Sequence, residues 1–178
     1  PNEKITEGLD GLRDRLVAYE SQGAKFCKWR AVITIGADIP SESCIKSNCN
    51  ALARYASLCQ ENNLVPIVEP EVLISGDHSI EKCDEITRQT LKCLFDELKS
   101  IDIYFPGVIL KPSMVISGDK NSNRADFEKV ATMTVNCLKE MCPTDLGGVA
   151  FLSGGQTNDE ATNHLKLMNS GDYNLPWR

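Results

Sequence analysis

Residues 107–114 read GVILKPSM, an apolar run that ends in a lysine followed by a proline. The aliphatic residues Val108, Ile109 and Leu110 favour a buried β-strand. Burying the ammonium group of Lys111 at the end of such a strand costs free energy unless the group is paired or deprotonated. Desolvation beside other cations favours the neutral amine, which is a nucleophile toward carbonyl groups. This stretch therefore predicts a buried strand that carries a reactive lysine.

Similar apolar runs recur along the chain, at residues 26–36, 64–73 and 147–155. Between them, apolar residues return every three or four positions, which is typical of amphipathic helices. The predicted helical segments are 9–23, 40–63, 79–100, 126–142 and 157–169. One helix followed by four strand–helix units indicates an α/β protein with a parallel sheet covered by helices.

Several details of these helices can be predicted from their ends and faces. Thr157 and Glu160 form a capping-box pattern at the start of the last helix. The apolar repeat of the fourth helix begins at Phe127 and returns at Val130 or Ala131, then at Thr134 and Leu138. No linker or low-complexity tract interrupts the chain, so a single domain over residues 1–178 is predicted. Periodicity alone leaves open whether the sheet is doubly wound or part of a (β/α)8 barrel, although a G-x-G-x-x-G fingerprint is absent.

The composition excludes several classes of protein. Hydrophobic residues make up 42% and charged residues 25% of the 178-residue chain, which argues against disorder. The net charge of −6 argues against nucleic acid as a partner. No run approaches the ~18 apolar residues of a membrane span, and the first residues lack a signal-peptide pattern. The expected location is therefore cytoplasmic, with no membrane or nucleic-acid partner.

The eight cysteines are predicted to be free thiols that act as small apolar residues in a reducing compartment. No two of them form a C-x-x-C motif, and the chain has only two histidines. Because structural zinc sites need clustered cysteine or histidine ligands, no metal site is predicted.

Charged residues inside the apolar runs are the candidates for chemistry. Side chains on a strand alternate between its two faces, so Lys28 and Arg30 share a face, as do Glu69 and Glu71. By the same rule Lys111 shares a face with Ile109, and Phe151 shares one with Ser153. The charged groups on neighbouring strands could meet at the mouth of a barrel, with Lys28 and Arg30 supplying the cations beside Lys111.

Each of these motifs also has an ordinary structural explanation. Lys28 and Arg30 could form a structural ion pair at a strand that begins on the surface. The EPE sequence at residues 69–71 is common in loops, and SGGQ at residues 153–156 could be a plain turn. The same SGGQ stretch could instead present backbone N–H groups to a phosphate at the start of the last helix.

Six motifs, in order and spacing, resemble class I fructose-1,6-bisphosphate aldolase, the Schiff-base type. They are GLDGL (8–12), KWR (28–30), NALARYASLCQ (50–60), VPIVEPEVL (65–73), LKPSM (110–114) and FLSGGQ (151–156). The resemblance covers essentially the whole chain. It implies a (β/α)8 barrel, a cytoplasmic homotetramer without metal or other cofactor, and a glycolytic lyase that cleaves fructose 1,6-bisphosphate to dihydroxyacetone phosphate and glyceraldehyde 3-phosphate.

The resemblance also implies a role for each candidate residue. Lys111 corresponds to the Schiff-base nucleophile and Glu69 to the general acid and base. The remaining roles are the second carboxylate (Glu71), the cation beside the Schiff base (Lys28), the contact for the phosphate at the aldehyde end (Arg30), and the cradle for the phosphate at the ketose end (Ser153 and Gly154).

The matching motifs correspond to strands four to seven of the family barrel, with no counterpart of strands one to three or eight. We therefore expect the 178 residues to be a fragment of a longer protein. A non-catalytic aldolase-derived scaffold, for example one that binds cytoskeletal filaments, is the alternative function. The sequence leaves open whether fructose 1-phosphate is also a substrate.

Overall fold

The computed structural model describes residues 3–171, 173, 175 and 176. Five α-helices and four β-strands follow one another in the predicted order of one helix and four strand–helix units. The helices are α1 Leu12–Ser21, α2 Glu42–Glu61, α3 Ile80–Ser100, α4 Phe127–Met141 and α5 Asn158–Ser170. The strands are β1 Phe26–Ile33, β2 Val65–Val72, β3 Ile109–Leu110 and β4 Gly148–Val149.

The four strands form one parallel sheet in the order β1-β2-β3-β4. A doubly wound sheet reverses its strand order at a switch point, whereas a barrel adds each strand beside the previous one. The sequential order therefore decides between the two alternatives in favour of a barrel segment. The strand register places Arg30 beside Glu69 and Val32 beside Glu71.

The helices begin and bury their side chains as their sequences indicate. Ser41, Ser79, Asp126 and Thr157 each cap a helix by accepting a backbone hydrogen bond from the first turn. The capping box of Thr157 and Glu160 is present as predicted. The apolar faces of α2 and α3 are buried against the sheet and against each other. The expectation that Phe127 belongs to the buried face of α4 fails. Phe127 is 43% exposed, because it is the first residue of that helix and lies at its end.

The last two strands are much shorter than their apolar runs. Beyond Leu110 a few backbone hydrogen bonds continue, from the N–H of Lys111 to the carbonyl of Val68 and from the N–H of Leu152 to that of Pro112, but Pro112 has no N–H group to donate to β2. The next residues are held by side chains instead. The backbone N–H groups of Val115 and Ile116 donate to Thr134 Oγ1 and Cys83 Sγ, respectively.

The loops that follow β2 and β3 are joined by backbone hydrogen bonds. The N–H of Gly118 donates to the carbonyl of His78, and the N–H of Lys120 donates to that of Gly76, each at 2.9 Å. The N–H of Asp119 donates to the carbonyl of Ile74, also at 2.9 Å. The two loops therefore form one continuous layer at the carboxyl ends of the strands.

All eight cysteines are free, as predicted. Six are buried, and burial raises the pKa of the Cys137 and Cys142 thiols to about 12. They therefore remain thiols at neutral pH and pack as small apolar groups.

None of the helices in the described ranges is long and apolar enough to cross a membrane.

We expect residues 1–178, expressed alone, to self-associate. Among the described residues β1 and β4 each pair with a strand on one side only, so both edges present unpaired backbone groups. Sedimentation velocity and thermal unfolding would measure this, with the intact protein as the control. A monomer with a sharp unfolding transition would contradict the prediction and show that the four units form a complete domain.

Candidate active site

Lys111 lies one residue beyond β3, at the carboxyl edge of the sheet. Its backbone N–H donates to the carbonyl of Val68 at 2.8 Å, which extends the parallel hydrogen bonding between β2 and β3 by one residue. The side chain is 30% exposed, and its Nζ donates to Glu69 Oε1 at 3.2 Å. The backbone thus fixes the direction of Lys111 while the amine stays accessible to a ligand.

Glu69 lies between two lysines on neighbouring strands. Its carboxylate is buried, with 4% of the side chain exposed, and Lys28 Nζ from β1 lies 3.2 Å from its Oε2 atom. This second contact is an ion pair outside hydrogen-bonding geometry, so Oε2 accepts no hydrogen bond from the described residues. Such an oxygen can accept a proton or a hydrogen bond from a ligand without first breaking an existing hydrogen bond.

Arg30 and Glu71 form a second ion pair, two residues further along the same strands. Arg30 Nε donates to Glu71 Oε2, and this hydrogen bond raises the pKa of Arg30 above its ordinary value. Glu71 is buried, whereas about half of the Arg30 side chain is exposed. The guanidinium therefore keeps free N–H groups toward solvent, where an anion could bind.

The period-two pattern correctly places these five charged residues on one face, where they contact one another. One detail differs from the expectation that Lys28 and Arg30 lie directly beside Lys111. The Glu69 carboxylate stands between Lys28 and Lys111, and Arg30 pairs with Glu71 instead. The register sets Arg30 beside Glu69, but each cation on β1 pairs diagonally with the carboxylate two residues further along β2.

Ser153 and Gly154 belong to a turn that approaches the carboxylates from beyond β4. Gly154 and Gly155 have φ values of 60° and 88°, a left-handed conformation that favours glycine. A Cβ atom on Gly154 would lie 3.9 Å from Glu71 Oε1, which places the turn at the same mouth as the ion pairs. Within the described part of the chain, the N–H groups of residues 153–155 donate to no acceptor. Consecutive free N–H groups of this kind form an anion-binding cradle.

Phe151 does not share the orientation predicted for it. It lines a cavity of about 260 Å³ together with Val135, Leu138, Leu165 and Met168 from α4 and α5. Its side chain therefore faces the helix layer. Val149 lines the same cavity, so Phe151 lies on the helix side of the chain together with the residue two positions before it.

Comparison with known proteins identifies the family of this chain. The family model for fructose-bisphosphate aldolase class-I matches residues 1–178. The chain belongs to this family. The resemblance stated from the six motifs is therefore confirmed.

Named relatives agree with the aldolase assignment. A probable fructose-bisphosphate aldolase class 1 of Xanthomonas campestris pv. campestris is 56% identical over 177 residues, covering 99% of this chain and 53% of the relative. Fructose-bisphosphate aldolase C of Carassius auratus is 42% identical over 175 residues, or 98% of this chain and 48% of the relative. The chain thus spans about half the length of the curated relatives it matches.

A solved aldolase supports the fold directly. The fructose-bisphosphate aldolase of Plasmodium falciparum, crystallised with TRAP and a small-molecule inhibitor, superimposes with a TM-score of 0.95 at 43% identity. The match covers 99% of this chain and 51% of that structure. The predicted class, an α/β fold that forms part of a barrel, is confirmed.

Sequence reasoning missed two groups of residues at this candidate site. Ser113 is buried, and its Oγ accepts the backbone N–H of Val72 at 3.1 Å, which joins the chain after Lys111 to the end of β2. Its only signal in the sequence is a hydroxyl within an apolar run. The second group is the side-chain pair of Gln156 and His164, whose Oε1 and Nδ1 atoms lie 2.6 Å apart. The two residues are separated by 8 positions in the sequence, and no periodic pattern connects them.

No cluster of three or more metal-ligating side chains occurs among the described residues.

Proposed function

We propose that the protein containing this chain reversibly cleaves fructose 1,6-bisphosphate to dihydroxyacetone phosphate and glyceraldehyde 3-phosphate through a Schiff base on Lys111. The observation that carries the proposal is the placement of the buried Glu69 carboxylate 3.2 Å from both Lys111 Nζ and Lys28 Nζ. A nucleophilic amine needs a proton acceptor within hydrogen-bonding reach, and Glu69 occupies that position.

The proposed reaction begins when Lys111 transfers a proton to Glu69 and its amine attacks the C2 carbonyl of the sugar. Glu69 then returns a proton to the carbinolamine oxygen, which leaves as water and produces the protonated imine. Glu69, deprotonated again, takes the proton of the C4 hydroxyl as the C3–C4 bond breaks. The electron pair of that bond passes to the imine, which becomes an enamine, and the aldehyde is released. Protonation and hydrolysis of the resulting enamine release dihydroxyacetone phosphate and restore Lys111.

Neighbouring charges support these steps. Lys28, on the other side of Glu69, would keep the carboxylate in place and offset negative charge that develops during bond cleavage. Glu71 would serve as the second carboxylate of the proton network while it orients Arg30. Both carboxylates come from the central strand β2, which holds them in fixed positions relative to Lys111.

The two ends of the substrate would bind at two cationic or N–H-rich positions. The exposed guanidinium group of Arg30 has N–H groups that would bind the phosphate at the aldehyde end. The turn at Ser153 and Gly154 has free N–H groups for the phosphate at the ketose end. A phosphate site in a loop that follows a late strand fits the general layout of such barrels.

The wider context of this activity is also a proposal, because the chain spans only about half of its relatives. We infer that residues 1–178 supply strands four to seven of one barrel domain. We also infer that the protein containing them acts in glycolysis. We propose a cytoplasmic homotetramer that takes sugar phosphates as substrates. A cytoskeletal partner stays a prediction, and the TRAP complex is a property of the Plasmodium falciparum relative.

We expect cleavage by the intact protein to be unaffected by EDTA. In the proposed mechanism the protonated imine on Lys111 accepts the electron pair of the breaking bond, so no Lewis acid is needed at the carbonyl. The test is the initial rate of fructose 1,6-bisphosphate cleavage before and after incubation with EDTA and removal of the chelator–metal complex. Loss of activity that zinc restores would contradict the Schiff-base mechanism.

A further inference from the structure

Gln156 closes the turn that contains Ser153 and Gly154, and its side-chain orientation is fixed by its contacts. Its amide Nε2 donates to the carbonyl oxygen of Ser153 at 2.9 Å, and its backbone N–H donates to the same oxygen at 3.2 Å. Only the NH2 group of an amide can donate, so the other amide atom, Oε1, remains an acceptor. Gln156 therefore ties the turn to itself and presents Oε1 to a neighbouring donor.

That donor is His164 on α5. Its Nδ1 lies 2.6 Å from Gln156 Oε1, and because Oε1 can only accept, Nδ1 must carry the hydrogen. The imidazole is only 2% exposed, and its ring meets Phe127 edge to face with centroids 4.9 Å apart. Burial lowers the pKa of His164, which favours the neutral ring at physiological pH. A rigid, buried donor thus determines where the Gln156 side chain lies.

We propose that His164 is a positioning residue that, through Gln156, holds the turn at Ser153 and Gly154 in the conformation that binds a phosphate group. The inference rests on the proposed function and extends it to a residue that does not itself touch the substrate. The connection runs from His164 Nδ1–H to Gln156 Oε1, and from Gln156 Nε2–H to the Ser153 carbonyl. A capping box at Thr157 fixes the start of α5, so helix and turn meet in one defined geometry.

The expected effect is on affinity and not on the chemistry at Lys111. The turn at residues 153–155 contains two glycines in the left-handed conformation, and its three backbone N–H groups donate to no acceptor among the described residues. Few hydrogen bonds therefore order it before a ligand binds. Ordering such a segment at the moment of binding lowers affinity, so a turn held in advance binds more tightly. Loss of the His164 hydrogen bond should therefore weaken binding of the phosphate group and leave Schiff-base formation itself intact.

The experiment measures borohydride trapping of the Schiff base in the intact protein with two ketones. Dihydroxyacetone phosphate carries the phosphate group, and dihydroxyacetone lacks it. His164→Leu removes the donor. Gln156→Met removes the amide contacts to Ser153, His164 and the sulfur of Met114, at a residue that is partly exposed. His164→Asn retains an N–H group near the position of Nδ1. Met168→Ala destabilises the same helix at a buried residue outside the proposed connection and is the matched control.

We expect His164→Leu and Gln156→Met to raise the half-saturating concentration of dihydroxyacetone phosphate about 3- to 10-fold, the effect of one hydrogen bond. Trapping of dihydroxyacetone should match the parent in both variants. His164→Asn should restore the parent half-saturating concentration of dihydroxyacetone phosphate. Met168→Ala should lower the thermal stability of the protein and leave that concentration at the parent value.

Other outcomes overturn the inference. An unchanged half-saturating concentration in Gln156→Met would do so even where His164→Leu fails to fold. An equal shift in Met168→Ala, or equally slowed trapping of dihydroxyacetone, would reduce the effect to general loss of helix stability. A parent protein that traps neither ketone would overturn the proposed function, and the inference with it.

Discussion

Replacing Lys111 by Met in the intact protein abolishes both cleavage of fructose 1,6-bisphosphate and borohydride trapping of dihydroxyacetone phosphate. Met has about the same length as Lys and can occupy the same position beside Glu69, but it has no amine to form the imine. Because every later step proceeds from that imine, we expect no residual cleavage above the uncatalysed rate. Cleavage is followed by aldehyde release, and trapping by the mass of the modified peptide.

Two matched lysine variants make the result specific. Lys120→Met removes an exposed lysine from the loop after β3 and should leave trapping and cleavage at the parent level. Lys28→Met removes the other cation beside Glu69 and should still permit trapping at Lys111, although cleavage should slow. An adduct located on Lys28 in the parent protein, or persistent trapping in Lys111→Met, would assign the nucleophile to a different residue.

Replacing Glu69 by Gln slows cleavage by about 10²- to 10⁴-fold, the usual contribution of a general acid or base. The substitution is nearly isosteric, but an amide can neither accept the proton from Lys111 nor return it to the carbinolamine. We expect formation of the trapped adduct to slow by a similar factor, because carbinolamine dehydration comes before the imine. Single-turnover trapping with dihydroxyacetone phosphate measures this step separately from bond cleavage.

Stability must be measured beside the rate, because Glu69 is a buried anion between two lysines. We expect Glu69→Gln to lower the unfolding temperature while the protein still folds, since Lys28 and Lys111 retain access to water. Glu61→Gln is the control, as it removes the same charge from an exposed ion pair with Arg13. A cleavage rate for Glu69→Gln within twofold of the parent would transfer the acid–base role to another group, and Glu71 would be tested next.

Much of the arrangement could be predicted because it depends on local periodicity. The helical repeat correctly placed the buried face of α2, including Cys49, Leu52 and Cys59. The two-residue repeat correctly paired Lys28 with Arg30 and Glu69 with Glu71 on one face. The position of Lys111 at a strand end followed from Pro112, which cannot continue the sheet.

The remaining features depend on contacts between distant segments, which local patterns do not contain. Lys28 and Arg30 pair diagonally across β1 and β2, each with the carboxylate two residues beyond its register partner, and no local pattern contains that choice. Phe151 packs toward α4 and α5, whereas a sequence window shows only an uninterrupted apolar run that does not say which side faces the helices. The hydrogen bond between His164 and Gln156 joins a side chain of α5 to one in the turn before it, and no spacing pattern in the sequence indicates it.

The backbone bridge between the loops after β2 and β3 leaves no room for a side chain at its centre. A Cβ atom on Gly118 would lie 2.2 Å from the carbonyl oxygen of Gly76, far inside van der Waals contact. One added methyl group would therefore force the two loops apart. Since one loop follows Glu71 and the other follows Lys111, this separation would act on the carboxylates and on the nucleophile together. Position 118 is thus restricted to glycine in this structure, and a larger residue there would disturb both halves of the site without touching either.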